Sequence, residues 1–96
     1  MTEQQGPQRK IMAYLTSINA YAVKIIQANR SGVPDIVCCL NGRFIAIECK
    51  RKGKKAEKLQ EYKIEKIRQA GGMAFVADNV PQVAEQLQNL SNMDKN

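Results

Sequence analysis

Asn41-Gly42 stands between two β-prone runs, Asp35–Leu40 and Arg43–Cys49. A two-residue Asn-Gly link of this kind predicts a type I′ hairpin turn, in which both central residues take positive φ. Such a turn fixes the register. With Leu40 opposite Arg43, counting back along both strands sets Cys39 against Phe44, Val37 against Ala46 and Asp35 against Glu48. Directly opposed side chains have Cβ atoms about 4.5–5.5 Å apart, and like charges there destabilise a sheet unless something compensates. The two acids also interrupt otherwise apolar stretches, where an ionised group is costly unless it is paired or coordinates a metal. Charged residues at strand ends are usually solvated, but that reading fits two opposed carboxylates poorly. A divalent cation is the obvious compensation. Lys50, two residues beyond Glu48, returns to the same face one pleat further on. Two carboxylates and an ammonium are thereby expected to converge.

Ninety-six residues, 44% hydrophobic and 25% charged, describe a single domain spanning 1–96 with one modest core. No apolar run approaches the roughly 20 residues of a membrane span, and MTEQQGPQRK lacks the apolar region and cleavage site of a secretory signal. The expectation is an intracellular, cytoplasmic protein without a membrane partner. The chain has three cysteines, none in a CxxC pair, and no histidine, which argues against a zinc site and excludes a histidine general base. Chemistry must come from carboxylates, Lys, Tyr or an ion. Net charge is +6, and residues 50–68 hold nine of the fifteen Lys and Arg against Glu57, Glu61 and Glu65. A basic cluster directly after a candidate metal site is the electrostatic footprint expected for a phosphate backbone.

Along the chain, Ile11, Met12, Tyr14, Leu15 and Ile18 recur at helical spacing, which predicts an amphipathic helix from about Pro7 to Ser17. Its start has two readings. Gly6-Pro7 suits an N-cap and first helical position, whereas Thr2 with Gln5 resembles a capping box, which places Glu3 on the helix and Pro7 inside it. Tyr21–Gln27 reads as a strand, and Asn29–Gly32 as the loop leading to the hairpin, with Arg30 and Ser31 available to a phosphate. On the hairpin, Ile36, Cys38, Leu40, Ile45, Ile47 and Cys49 share the face opposite the carboxylates. Val37, Cys39, Phe44 and Ala46 make the other face apolar too, so the hairpin is expected to be covered on both sides with its cysteines in the core. Ala56, Leu59, Ile64, Ile67 and Ala70 define the inner arc of a second helix ending at Gly71, with Gln60 and Lys63 inside that arc. An amide in that place needs polar partners. Met73–Ala77 is a short strand. Val80, Val83, Ala84, Leu87 and Leu90 mark a last helix begun by Asp78 or Asn79, followed by a frayed tail from Ser91.

Pro34-Asp35 followed by Glu48-Cys49-Lys50 resembles the PD-(D/E)XK nuclease motif. The longer pattern, Gly32-Val33-Pro34-Asp35, Gly42-Arg43-Phe44, Glu48-Cys49-Lys50, Gln60 and Gly71-Gly72, resembles the VRR-NUC family. The order α-β-β-β-α-β-α is similar to the restriction-endonuclease-like minimal core, an α/β fold with a mixed central sheet flanked by helices. The likeness implies metal-dependent hydrolysis of DNA phosphodiester bonds. Asp35, Glu48 and the Cys49 backbone carbonyl, with Glu3 as a further candidate, are then the ligands of Mg²⁺ or Mn²⁺, hard ions suited to oxygen donors. Lys50 is expected to position the attacking water and screen the phosphate, and Gln60 to orient water or phosphate. Arg30, Ser31, Arg51, Lys52, Lys54, Lys55, Lys58 and Lys63 are the candidate nucleic-acid contacts. Stand-alone members of the family resemble Holliday-junction resolvases, which implies a homodimer on branched DNA, with Val83, Leu87 and Leu90 either pairing two chains or covering their own sheet. The competing reading is a nucleic-acid-binding protein that keeps the nuclease core without turnover.

Overall fold

The structure is a computed structural model and describes residues 5–94. Its elements follow the expected order: α1 (Gln5–Ser17), β1 (Tyr21–Lys24), β2 (Ile36–Leu40), β3 (Arg43–Cys49), α2 (Lys58–Gln69), β4 (Met73–Ala77) and α3 (Val80–Asp94). The four strands form one sheet in the order β1-β2-β3-β4, antiparallel except where β3 meets β4 in parallel. A parallel pair needs a long crossover, and α2 supplies it.

The hairpin has the register that its turn dictates. Asn41 and Gly42 lie at φ 53° and 80°, and Leu40 pairs with Arg43, Cys39 with Phe44 and Val37 with Ala46. One face of the sheet carries Ile36, Cys38, Ile45, Ile47, Cys49, Phe75 and Ala77, packed under Ile11 and Leu15 of α1 and Val83 and Leu87 of α3. The other face has a smaller core in which Ala46 and Ala74 meet Ile64, with Val37 and Ile67 at its margin. This smaller core belongs to α2. Among the described residues no helix is long and apolar enough to cross a membrane.

Helix ends follow local chemistry. At the end of α1 the αL position falls to Asn19 (φ 66°), and Asn19 and Ala20 return their N–H groups to Thr16 and Leu15 carbonyls at 3.0 Å each. The end of α2 repeats this pattern, with Gly71 N–H on Arg68 O and Gly72 N–H on Ile67 O, both 3.0 Å. Asn79 caps α3, its Oδ1 accepting Gln82 N–H at 2.9 Å.

Several expectations are corrected. Gln5 and Gly6 are already helical, so Pro7 lies inside the span and not at its first position. The two readings of the helix start therefore divide: Pro7 follows the second, while Thr2 and Glu3 lie outside the described residues. The strand read as Tyr21–Gln27 ends at Lys24, because its partner β2 begins at Ile36 and leaves only Ile25 N–H to reach Asp35 O (2.7 Å). Beyond that bond the chain leaves the sheet, and Ile26 is 90% exposed. The face with Cys39 is not covered at the turn end: Cys39 and Phe44 are exposed, and α2 packs Ile64 and Ile67 on Ala46 and Ala74. Leu59 is exposed and Ala56 precedes α2, so the buried arc narrows to Ile64 with Ile67 half-buried. The tail from Ser91 continues α3 to Asp94.

Candidate active site

Asp35 stands one residue before β2 and Glu48 one residue from the end of β3, so the hairpin register carries both acids to the same edge of the fold. Asp35 is half-buried, and its Oδ2 accepts the Cys49 N–H at 2.9 Å. Glu48 is 3% exposed, which is rare for a carboxylate without partners. One of its oxygens is well served. Oε2 accepts Gln60 Nε2–H at 2.7 Å and faces Lys50 Nζ at 3.3 Å. The other, Oε1, is buried and finds no hydrogen-bond donor among the described residues. Burial raises the Glu48 pKa, the Asp35 charge raises it further, and Lys50 and the Asp35 backbone N–H act in the opposite sense. The same field reaches the backbone strand beneath: burial, then Asp35 and Glu48, push the Cys49 thiol up to about 12. Burial with Cys39 nearby raises Cys38 to about 11. These two thiols are inert core groups, as expected, whereas Cys39 is on the surface.

Gln60 is fixed from both ends. It is the third residue of α2, and its Oε1 accepts the Glu57 N–H at 2.9 Å, closing the return half of a capping box. That bond determines which way the amide faces, leaving Nε2 to donate to Glu48. The polar partners expected for an amide on the inner arc are therefore the helix N-terminus and a candidate metal ligand.

The residue set fits a hard divalent cation. The Asp35 charge disfavours ionised Glu48, Lys50 offsets this only in part, and a buried oxygen of Glu48 accepts no hydrogen bond among the described residues. No group of three or more His, Cys, Asp or Glu suited to a metal occurs among the described residues, so a backbone carbonyl such as that of Cys49 would have to complete an oxygen set. Glu3 lies outside the described residues.

Arg30, Ser31, Arg51, Lys52, Lys54, Lys55 and Lys58 are all exposed, and Lys63 is half-buried. Their placement follows from the site itself. Lys50 and Gln60 both touch Glu48, so the segment between them starts and ends beside that carboxylate. Arg30 and Ser31 come from the other side, held by Gly32. At φ +79°, Gly32 lies so close to α2 that an added Cβ would fall 2.7 Å from Leu59 Cγ and 3.2 Å from Lys63 Cγ.

Two features escaped the sequence reading. Gln8 is buried on the Ile11–Leu15 stripe of α1 with its Oε1 finding no donor among the described residues, a position that the helical spacing marks as core. Tyr62 and Lys66 project from the outer side of α2 and line a cavity with Arg30 and Lys63. Tyr62 lies off the apolar arc, the one signal that could have singled it out.

The sequence profile of the archaeal Holliday junction resolvase (Hjc) family matches residues 5–96. No curated protein sequence matches the chain. Among solved structures, a VRR_NUC domain superposes with a TM-score of 0.79 at 23% identity, covering 92% of this chain and 97% of its own. A VRR_NUC domain protein gives 0.73 at 19% identity, covering 93% and 88%. Hjc of Archaeoglobus fulgidus, a Holliday junction resolvase from an archaeal hyperthermophile, gives 0.63 at 22% identity, covering 78% and 67%. At these identities the structural likeness speaks for the fold, which is the one that the PD-(D/E)XK and VRR-NUC resemblance implied. The profile spans nearly the whole chain, and on that ground the chain belongs to the archaeal Holliday junction resolvase family.

Proposed function

We propose that this chain is a Mg²⁺- or Mn²⁺-dependent endonuclease that cleaves DNA at branched structures such as four-way junctions, acting as a homodimer. Family membership supports junction DNA as the substrate. The observation that carries the catalytic reading is the pair Asp35 and Glu48 at one end of the hairpin, with a buried Glu48 oxygen that has no donor among the described residues and with Lys50 beside it. A protein used only for binding gains nothing from this arrangement, which costs stability in every state without an ion.

Asp35, Glu48 and the Cys49 carbonyl would hold the ion, with Glu3 a further candidate. When bound, the ion supplies Lewis acidity, acidifying water and offsetting charge that builds on the scissile phosphate. Lys50 presents its ammonium beside the same carboxylate and screens the phosphate oxygens as negative charge develops on them. Gln60 works through Glu48. Both ends of its amide are committed, so it is a positioning residue that occupies Oε2 and leaves Oε1 for coordination. The exposed cations between Lys50 and Lys58, with Arg30 and Ser31, provide the attraction for the backbone on either side of the scissile bond.

The test is incubation with Mg²⁺ or Mn²⁺ and a panel of linear, single-stranded, flap and four-way-junction DNA and RNA. Cleavage of the junction by wild type and none by Glu48→Gln is the expected result. Cleavage that survives Glu48→Gln, or a wild-type chain inert on every substrate with both ions, rejects the reading.

A further inference from the structure

Beside the catalytic carboxylates lies a further basic feature, which shares Arg30 and Lys63 with the candidate nucleic-acid contacts and adds Tyr62 and Lys66. Between the loop before β2 and the outer side of α2 lies a cavity of about 350 Å³. Its inner wall is apolar, with Pro34 fully buried and Ile67 half-buried, and its rim carries Arg30, Lys63 and Lys66 around the ring of Tyr62. No carboxylate lines it among the described residues. Tyr62 is 56% exposed, and the cations of Lys63 and Lys66 lie 6.0 and 5.8 Å from its ring centroid. Those distances are at the outer limit of a cation–π contact.

Three cations with no carboxylate beside them in the cavity lining among the described residues, a ring that is 56% exposed and an apolar wall together suit one nucleotide: phosphate on the cations, base on the ring. The cavity is also tied to the catalytic residues through the covalent chain. Pro34 is bonded to Asp35, and Lys63 lies on α2 less than one turn beyond Gln60, which donates to Glu48. Gly32 holds the two walls together by letting the loop lie directly on Leu59 and Lys63.

We propose that this cavity receives an unpaired nucleotide of the substrate, with its base stacked on Tyr62 and its phosphate among Arg30, Lys63 and Lys66. A base in intact duplex is stacked on both sides and cannot enter, so the pocket selects DNA with an opened pair. The proposal rests on the reading of the chain as a branched-DNA nuclease and names the structural feature by which it picks its substrate.

Binding of the full chain is measured in EDTA, where cleavage is absent, to a four-way junction and to linear duplex of the same length. Tyr62→Ala is expected to lower junction affinity about tenfold, within the range for removal of a base–aromatic stack, and to leave duplex affinity unchanged. Tyr62→Phe keeps junction affinity, because stacking does not need the hydroxyl. Lys66→Gln lowers junction affinity and reduces its salt dependence. A junction carrying 5-iododeoxyuridine next to the branch point is expected to photocross-link to Tyr62. Equal losses on junction and duplex, a Tyr62→Phe variant as weak as Tyr62→Ala, or cross-links that map elsewhere overturn the pocket. Cleavage by wild type in Mg²⁺ or Mn²⁺, read separately, keeps the two readings distinct. Cleavage with an indifferent Tyr62 sinks the pocket alone, whereas junction-selective, Tyr62-dependent binding without cleavage by any metal sinks the catalytic reading alone.

Discussion

Glu48 is pulled two ways, by burial and the Asp35 charge toward the neutral form and by Lys50 toward the ionised one, and the first pair wins. Its folded pKa therefore lies above the roughly 4.3 of an unfolded glutamate, so the native state binds the extra proton between the two values. Stability then falls as pH rises through that window, and above it ionised Glu48 is a standing cost. In EDTA near pH 7, Glu48→Gln should melt a few degrees above wild type, and the gap should close as pH drops below about 4. Calorimetry that finds the variant less stable at neutral pH would contradict this account of the site. The same substitution, with Asp35→Asn and Lys50→Ala, should abolish cleavage in Mg²⁺ or Mn²⁺ while DNA binding, measured by anisotropy, stays within about threefold, since the attraction for phosphate comes from the exposed cations. The two acids and Lys50 were legible from sequence because the turn fixes which residues oppose each other. What Gln60 touches was not: helical spacing put its amide on the inner side, but its commitment to Glu57 and Glu48 depends on where α2 begins, and that is set by a cap three residues away.

At the scale of elements, the register of the hairpin was readable because Asn41-Gly42 admits one geometry, although β2 begins at Ile36 and not at Asp35. The strand before it was over-read, since Ile25 and Ile26 look like a continuing apolar run while the sheet offers no partner beyond Asp35. Apolar character marks a strand only where a neighbour exists to pair with it. The loop of Gly32 shows the converse, a local glycine whose reason lies on a distant helix. Gly32→Ala is expected to destabilise the fold by about 1–3 kcal/mol, partly from φ +79° and partly from the 2.7 Å approach to Leu59 Cγ. Leu59→Ala in the same chain removes the clash but not the backbone strain, so the double variant should recover part of the loss, and denaturant melts of the four proteins measure that coupling. Full additivity would show that the loop does not lie on α2. The connection from Lys50 to α2 has its own test. Neutralising Lys52, Lys54 and Lys55 should weaken duplex binding and reduce the log–log salt slope by about 0.9 for each phosphate that is no longer neutralised, and an unchanged slope would place the backbone elsewhere.

For the whole molecule, burial settles one of two uses left open for the last helix. Val83 and Leu87 are buried against the chain's own sheet, so these two side chains are not available to pair two copies. One exposed apolar row runs across three strands at the turn end: Tyr21 opposite Cys39, and Cys39 opposite Phe44. Two strands must be cut to resolve a junction, and one compact site cuts one strand at a time, so a two-fold pair of chains is the economical arrangement. A second copy packed on this row would place two sites in fixed relation. Wild type at micromolar concentration is accordingly expected to sediment as a dimer. Phe44→Glu, which sets a charge in the middle of the row, should sediment as a monomer and nick one strand of a junction where wild type cuts two. A Phe44→Glu protein that remains dimeric moves the interface elsewhere, and a monomeric wild type that cuts linear duplex as readily as junctions removes the dimer from the mechanism.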